Sequence, residues 1–102
     1  MNMTKKSRFM TKAISEVLDM ELQAVLWQIY DEIIEQRKGH MDYLQVFEIE
    51  VCEKTLTITN RQEAPPFQTK FIINNKIKGD KNTTVWIIDD ARYQTMLFPE
   101  DY

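Results

Sequence analysis

A regular spacing of apolar residues predicts one long helix in the first half of the chain. Six apolar side chains recur every three or four positions, which is the spacing of a single helical face. They are Leu22, Val25, Leu26, Ile29, Ile33 and Ile34. Asp19 is a suitable N-cap, and Gly39 suits the left-handed conformation that ends many helices. The pattern therefore predicts a helix from about Met20 to Lys38.

After the helix the hydrophobic period changes to two, which is typical of strands with one buried face. A break at Glu53-Lys54 favours a hairpin between the first two of these strands. Prolines at positions 65 and 66 then interrupt pairing, because proline has no N–H to donate to a ladder. The alternation predicts four strands, at Tyr43–Cys52, Thr55–Thr59, Phe67–Ile73 and Thr83–Asp89.

The two ends and one loop give weaker signals. Arg8–Ile14 has the composition of a short strand leading into the helix, and the polar, cationic residues 1–6 are expected to fray. The loop Asn74–Asn82 is also polar and cationic. Tyr93–Phe98 fits either a short helical turn capped by Asp90 or an extended tail.

Together these elements predict an α+β fold, with one long helix packed on a mostly antiparallel sheet of four to five strands. Without a repeat or a linker, the chain reads as a single domain over residues 1–102. The run Val85–Ile88 is apolar on both sides of its strand, whereas one helix covers only one face of a sheet. Either the C-terminal segment or another chain is therefore expected to cover the second face.

Composition narrows the class of protein. The 102 residues are 43% hydrophobic and 28% charged, as in ordinary globular domains rather than disordered chains. The formal net charge of the chain is −3, whereas a nucleic-acid-binding domain is expected to be basic overall. The single cysteine, Cys52, excludes an internal disulfide and agrees with a reducing cytoplasm. No apolar run has the length of a signal peptide core or a membrane span, so no membrane association is expected.

The sequence contains residues that could form a nucleophilic pair and residues that could bind a metal ion, and neither site is favoured. Cys52 and His40 would form a nucleophilic pair if they met in space, but acidic neighbours raise a thiol pKa and a free cysteine is usually a small buried hydrophobe. Asp89-Asp90 with Asp42 or Glu63 would supply oxygen ligands, yet adjacent aspartates more often end a strand. We therefore expect no catalytic residue, metal or cofactor.

Nucleic acid is the alternative partner. Basic residues concentrate in residues 1–12, which contain no acid, and in residues 61–81. If both segments lie on one edge of the sheet, next to an exposed Phe67 or Phe71, they would form a basic and aromatic patch able to bind a nucleic-acid strand. Acidic side chains along the helix would repel phosphates, so this role ranks second, and a small hydrolase ranks third.

The sequence also resembles an uncharacterised family of small Gram-positive bacterial proteins, a domain of unknown function first described from staphylococci. The resemblance covers nearly the whole chain. It is carried by Ser7–Thr11, Leu22-Gln23, Leu26-Trp27, Asp42–Phe47, Arg61–Glu63, Val85–Asp90, Tyr93, Thr95–Leu97, Pro99-Glu100 and Tyr102. It implies a bacterial, cytoplasmic setting and supplies no activity, cofactor or site.

A non-enzymatic protein-binding or regulatory module is therefore the leading interpretation, by self-association or through a protein partner, because methionine and aromatic residues are enriched at interfaces. Loops and strand ends usually carry function, and a set of polar and aromatic positions lies there or on the second face. The candidate partner-contact or ion-pair positions are Arg8, Arg61, Gln62, Glu63, Trp86, Asp89, Asp90 and Tyr93. We further expect Arg8 or Arg61 to pair with Asp89 or Asp90.

Overall fold

The computed structural model describes residues 6–74 and 81–102. In chain order the elements are β1 (Ser7–Met10), α1 (Lys12–Val17), α2 (Met20–Arg37), β2 (Leu44–Val51), β3 (Thr55–Gln62), β4 (Phe67–Asn74), β5 (Thr83–Asp89), β6 (Tyr93–Leu97) and a 3-10 turn (Pro99–Asp101). Almost all of the predicted frayed start and most of the predicted loop after β4 lie outside the described residues.

The long helix α2 confirms the prediction made from the apolar spacing. Its N-cap is Asp19, whose Oδ1 accepts a hydrogen bond from the backbone N–H of Glu21 at 2.8 Å. The helix ends at Arg37, and Gly39 follows with φ +84°, a conformation that a side chain would disfavour. The face of α2 that packs on the sheet buries Leu22, Leu26, Ile29, Tyr30 and Ile33.

The predicted sheet of four to five mostly antiparallel strands is wrong. Six strands form one mixed sheet in the order β1-β6-β5-β2-β3-β4, and the described residues are mostly sheet, with one helix longer than six residues. The four predicted strands are present as β2 to β5. The mixed character comes from β1, which pairs with β6 in parallel, whereas the other strand pairs are antiparallel.

The C-terminal segment accounts for much of that error. Tyr93–Leu97 is neither a helical turn nor an extended tail but strand β6, held between β5 and β1. Extended backbone places Met96 in the core, where it is fully buried, and Leu97 on the opposite side of the sheet. Because it is a strand of the sheet, this segment does not fold over the second face.

One side of the sheet faces α2 and carries the core. Alternate residues of β2, β3, β5 and β6 point there and are buried against the helix, with Ile14 of α1 and Phe98 closing the cluster. The sheet contribution is Phe47, Ile49, Leu56, Ile58, Val85, Ile87 and Met96. The intervening residues point to the other side, which we call the open face.

Candidate protein-contact surface

The open face carries apolar side chains on β1, β6, β5 and β2, of which Trp86 and Ile88 are half-buried, whereas Val46 and Leu97 are only 7% and 5% exposed. Ladder pairing places Trp86 between Val46 and Leu97, and it places Ile88 beside Leu44. At the edge, the rings of Phe9 and Tyr93 meet edge to face with centroids 5.7 Å apart, and they remain 53% and 42% exposed. We call this area the open-face patch; it consists of Phe9, Leu44, Val46, Trp86, Ile88, Tyr93 and Leu97.

The last residue of the sequence touches this patch without covering it. The Tyr102 ring lies edge-on to the Trp86 ring at 5.9 Å, and Tyr102 itself is 82% exposed. The 3-10 turn before it packs near β5. Among the described residues, therefore, a single aromatic ring from the C-terminal end leans over the centre of the patch.

The rim of the patch next to β3 is mainly acidic. A cavity of about 220 Å³ lies between Trp86, Leu44 and the segment that follows β3, and Asp42 and Glu63 both line it. Glu48 follows Val46 on the same face of β2, and Arg61 pairs with it at 3.5 Å. Three carboxylates and one guanidinium thus border the apolar surface here, and the Arg61–Glu48 pair leaves the charges of Asp42 and Glu63 unbalanced.

The predicted ion pairs of the two arginines are wrong in their partners. Arg8 lies on the side of the sheet that faces α2, where it donates to both carboxylate oxygens of Asp31 and to Gln94 Oε1 at 3.0 Å. Arg61 pairs with Glu48. The predictions placed these partners at strand ends, but the alternation of β1 directs Arg8 towards the helix.

Asp89 and Asp90 lie where β5 ends, and both bind the residue before β1. Lys6 Nζ lies 2.7 Å from Asp89 Oδ1 and donates to the backbone oxygen of Asp90 at 2.8 Å. The Asp90 N–H donates to the carbonyl of Tyr93, which closes the turn into β6. These two aspartates therefore tie the N-terminal segment to the sheet.

The only thiol and imidazole in the sequence stand at opposite ends of β2. His40 precedes that eight-residue strand and Cys52 follows it, which separates them by about 25 Å at the rise of a strand. A Cys–His nucleophilic pair is therefore excluded. Within residues 6–74 and 81–102, no three His, Cys, Asp or Glu side chains cluster in a way that could hold a metal ion.

A buried polar network occupies the far end of the helix interface. The Arg37 side chain, in a residue only 6% exposed, donates to Gln62 Oε1 at 3.0 Å, Gln45 Oε1 at 3.3 Å and Thr69 Oγ1 at 3.0 Å. Gln62 in turn donates to the carbonyls of His40 and Pro65. All of these acceptors are neutral, so burial lowers the pKa of Arg37.

This network gives Gln62 a structural role and contains residues that the sequence interpretation missed. Asn60 Nδ2 donates to Gln45 Oε1 at 3.1 Å, while Asn60 Oδ1 is buried and has no hydrogen-bond partner in the described part of the chain. Alternation would have placed Gln45 and Asn60 on the inner face, but their polarity argued against burial. Phe9, the most exposed residue of the patch, was missed too, because the parallel pairing of β1 has no local signal.

Fold and surface together define a two-layer protein in which helices cover one face of a mixed six-stranded sheet, and no helix of the described residues covers the other. The chain belongs to a family described as staphylococcal protein of unknown function (DUF960), whose model matches residues 7–101. The family resemblance inferred from the sequence is thereby confirmed, and the family carries no assigned function.

A solved structure supports the fold. A crystal structure of a protein of unknown function from Enterococcus faecalis is similar with a TM-score of 0.78 and 18% sequence identity, covering 95% of this chain and 91% of that one. At this identity the likeness concerns the fold alone. A comparison with curated proteins found no match. None of the helices in the described part of the chain is long and apolar enough to cross a membrane.

Proposed function

We propose that this chain is a non-enzymatic protein-binding module, and that its open-face patch receives an amphipathic helix of a partner protein. The observation that carries the proposal is that the half-buried Trp86 and Ile88 lie on the same face of the sheet as the exposed Phe9 and Tyr93. Aromatic side chains exposed on an apolar face are typical of protein interfaces.

The size of the patch favours a helix over a second sheet. Four strands cover about 15–20 Å across the sheet, and the one or two patch residues of each strand cover about 7–14 Å along it. This area is far below the roughly 800 Å² that each partner of a standard interface buries. A helix has a diameter of about 10–12 Å, so three to four turns laid across the strands would fill the patch.

The acidic rim specifies the charge of the partner. Asp42 and Glu63 border the apolar surface without a cationic partner among the described residues, whereas Glu48 is paired with Arg61. Basic residues flanking the apolar face of the incoming helix would be attracted to these carboxylates, which steers association and fixes orientation. A basic amphipathic helix is therefore the partner chemistry that this surface fits.

A nucleic-acid role has weaker support. The basic side chains from residue 6 to residue 12 each have a carboxylate within 4 Å. The same is true of Arg61. The pairs are Lys6–Asp89, Arg8–Asp31, Lys12–Glu16 and Arg61–Glu48. Phosphates would have to compete with these carboxylates, and the rim acids repel a nucleic-acid backbone.

Site-specific photo-crosslinking in the source cells tests the proposal. A photoreactive phenylalanine analogue replaces Phe9 or Tyr93, and a matched control replaces Val17, which is 64% exposed on α1. We expect both patch positions to capture the same protein, in a nuclease-resistant product, through a peptide with a basic amphipathic helical pattern. Equal capture at Val17, capture of nucleic acid, capture of this chain alone, or no capture overturns the proposal.

A matched pair of variants connects that capture to the apolar surface. Phe9→Ser with Tyr93→Ser removes two apolar side chains from the patch, and Val17→Ser with Met20→Ser removes two exposed ones from the helices. We expect the first pair to weaken binding of the captured peptide at least tenfold, and the second to leave it unchanged. Equal affinities for the two double variants contradict the proposed surface.

A further inference from the structure

Strand β4 forms one edge of the sheet, and its outer side has no partner among the described residues. Its eight residues pair along their whole length with β3 on the inner side, from Gln62 opposite Phe67 to Thr55 opposite Asn74. The opposite edge, β1, has only four residues. A long edge strand presents a row of unpaired backbone donors and acceptors, which is a template for another strand.

This edge has little of the protection that edge strands usually carry. Such strands are commonly kept short, charged or interrupted by proline. Within β4 the single charged residue is Lys70, while Ile72 is 69% exposed and Phe67 41% exposed. Phe71 and Ile73 point to the helix side and pack against the margin of the core. An added strand would therefore extend both the ladder and the core.

We propose that β4 is a self-association edge, on which β4 of a second copy adds antiparallel about a two-fold axis centred on Phe71. Such an axis keeps each residue on its own face, so opposite positions share parity. A centre at Lys70 would set two lysines directly opposite each other, which is destabilising. A centre at Phe71 sets the two phenylalanines opposite each other and each Lys70 opposite Ile72 of the other copy.

The remaining pairs of this register are also compatible. Thr69 lies opposite Ile73, and Gln68 opposite Asn74, so no like charges face each other across the new ladder. Aromatic pairs and pairs of β-branched residues stabilise antiparallel strands. The two copies would form a continuous twelve-stranded sheet, with α2 of both on one side and both open faces on the other. The patch used in the proposed function lies on β1, β6, β5 and β2, so the two inferences are independent.

The test is sedimentation equilibrium of the purified full chain across micromolar to millimolar concentrations. The wild type is expected to be a concentration-dependent dimer. Ile72→Lys places a lysine opposite Lys70 of the other copy on each side of the two-fold axis, so the dimer contains two repulsive pairs. This variant should weaken dimerisation at least tenfold. Ile72→Glu also removes the exposed apolar group, but it places a carboxylate opposite each Lys70 and should leave a dimer.

Two further variants complete the design. Lys70→Glu combined with Ile72→Lys restores opposite charges across the two-fold axis and should restore the dimer that Ile72→Lys alone loses. Val17→Lys adds the same charge at an exposed site on α1 and should behave as the wild type. Circular dichroism confirms that each variant folds. A wild type that is monomeric throughout overturns the proposal, as does an Ile72→Lys dimer of wild-type affinity or a monomeric Ile72→Glu variant.

Discussion

The guanidinium of Arg8 lies over the indole ring of Trp27, with 4.6 Å between the central carbon and the ring centroid. Because Arg8 belongs to β1 and Trp27 to α2, this contact joins the edge strand to the long helix. The Tyr30 ring lies 5.8 Å from the same carbon, and Asp31 binds both terminal nitrogens. One arginine thus fixes the position of a four-residue strand.

Arg8→Ala should lower the free energy of unfolding by about 1–2 kcal/mol, because both the cation–π contact and the partly exposed ion pair are lost. Arg8→Lys keeps the charge but not the planar two-nitrogen contact with Asp31, so it should recover only part of the loss. Urea unfolding of the three proteins measures the difference. Equal stability of the alanine variant and the wild type would contradict the anchoring role.

Gln62→Leu should destabilise the protein by about 2–4 kcal/mol, since it leaves the buried Arg37 charge with fewer acceptors. Arg37→Met removes the charge itself while the amides of Gln45 and Asn60 still pair with each other, so about 1–3 kcal/mol is expected. The double variant should lose less than the two single losses combined. Strict additivity in a double-mutant cycle would show that the two residues act separately.

Alkaline pH should destabilise the protein through Tyr30. This residue is 1% exposed, and its pKa is raised first by burial and then by the Asp89 carboxylate. Below pH about 10 the hydroxyl is protonated in both the folded and the unfolded states. Above that pH the unfolded tyrosine ionises while the folded one stays neutral, so stability falls by up to about 1.4 kcal/mol per pH unit.

Tyr30→Phe should remove that share of the alkaline decline, measured as the free energy of unfolding from pH 9 to about pH 11.5. Tyr43→Phe is the matched control, because that side chain is 60% exposed. If the two variants and the wild type lose stability in parallel, Tyr30 does not govern the alkaline slope.

Thr11 joins the two ends of the described chain, and Thr11→Val should cost about 1–2 kcal/mol. Its hydroxyl accepts from the backbone N–H of Ile14 at the start of α1 and donates to Asp101 at 2.8 Å. Valine keeps the shape and loses both hydrogen bonds, whereas Thr11→Ser keeps them and should remain close to wild type. Thermal unfolding of both variants makes the comparison; a stable valine variant would count against the cap.

Patterns of neighbouring residues predicted the helices and strands that depend mainly on neighbouring residues. The spacing of apolar residues and Asp19 predict α2, and alternation predicts β2 to β5. The predicted bounds were within one residue except in β3, which continues three residues past the predicted Thr59. Strand β6 was missed because Gln94 and Thr95 interrupt its apolar pattern, and the buried Gln94 has its partner, Arg8, 86 residues away. The direction of a strand and the identity of its neighbour depend on such distant contacts, which the residues of β1 alone do not reveal.

The candidate surface was predictable in outline and not in detail. The two apolar faces of Val85–Ile88 indicated an uncovered side of the sheet, and Trp86 was correctly assigned to a strand, whereas Tyr93 begins strand β6 and not a turn or a tail. Two of the polar candidates do not belong to this surface, since Gln62 lies in a buried network and Arg8 faces the helix. A polar residue near a strand end can face either layer, and only the register decides which.

The parallel pairing of β1 with β6 also constrains how this protein is made. During synthesis β1 is translated before the other five strands, yet the strand beside it is translated last of the six. Until then Phe9 and Arg8 have neither their strand partner nor Gln94, and β5 lacks one neighbour. The sheet can therefore be completed only after β6 has been translated, and the nascent protein exposes an unpaired edge until that moment.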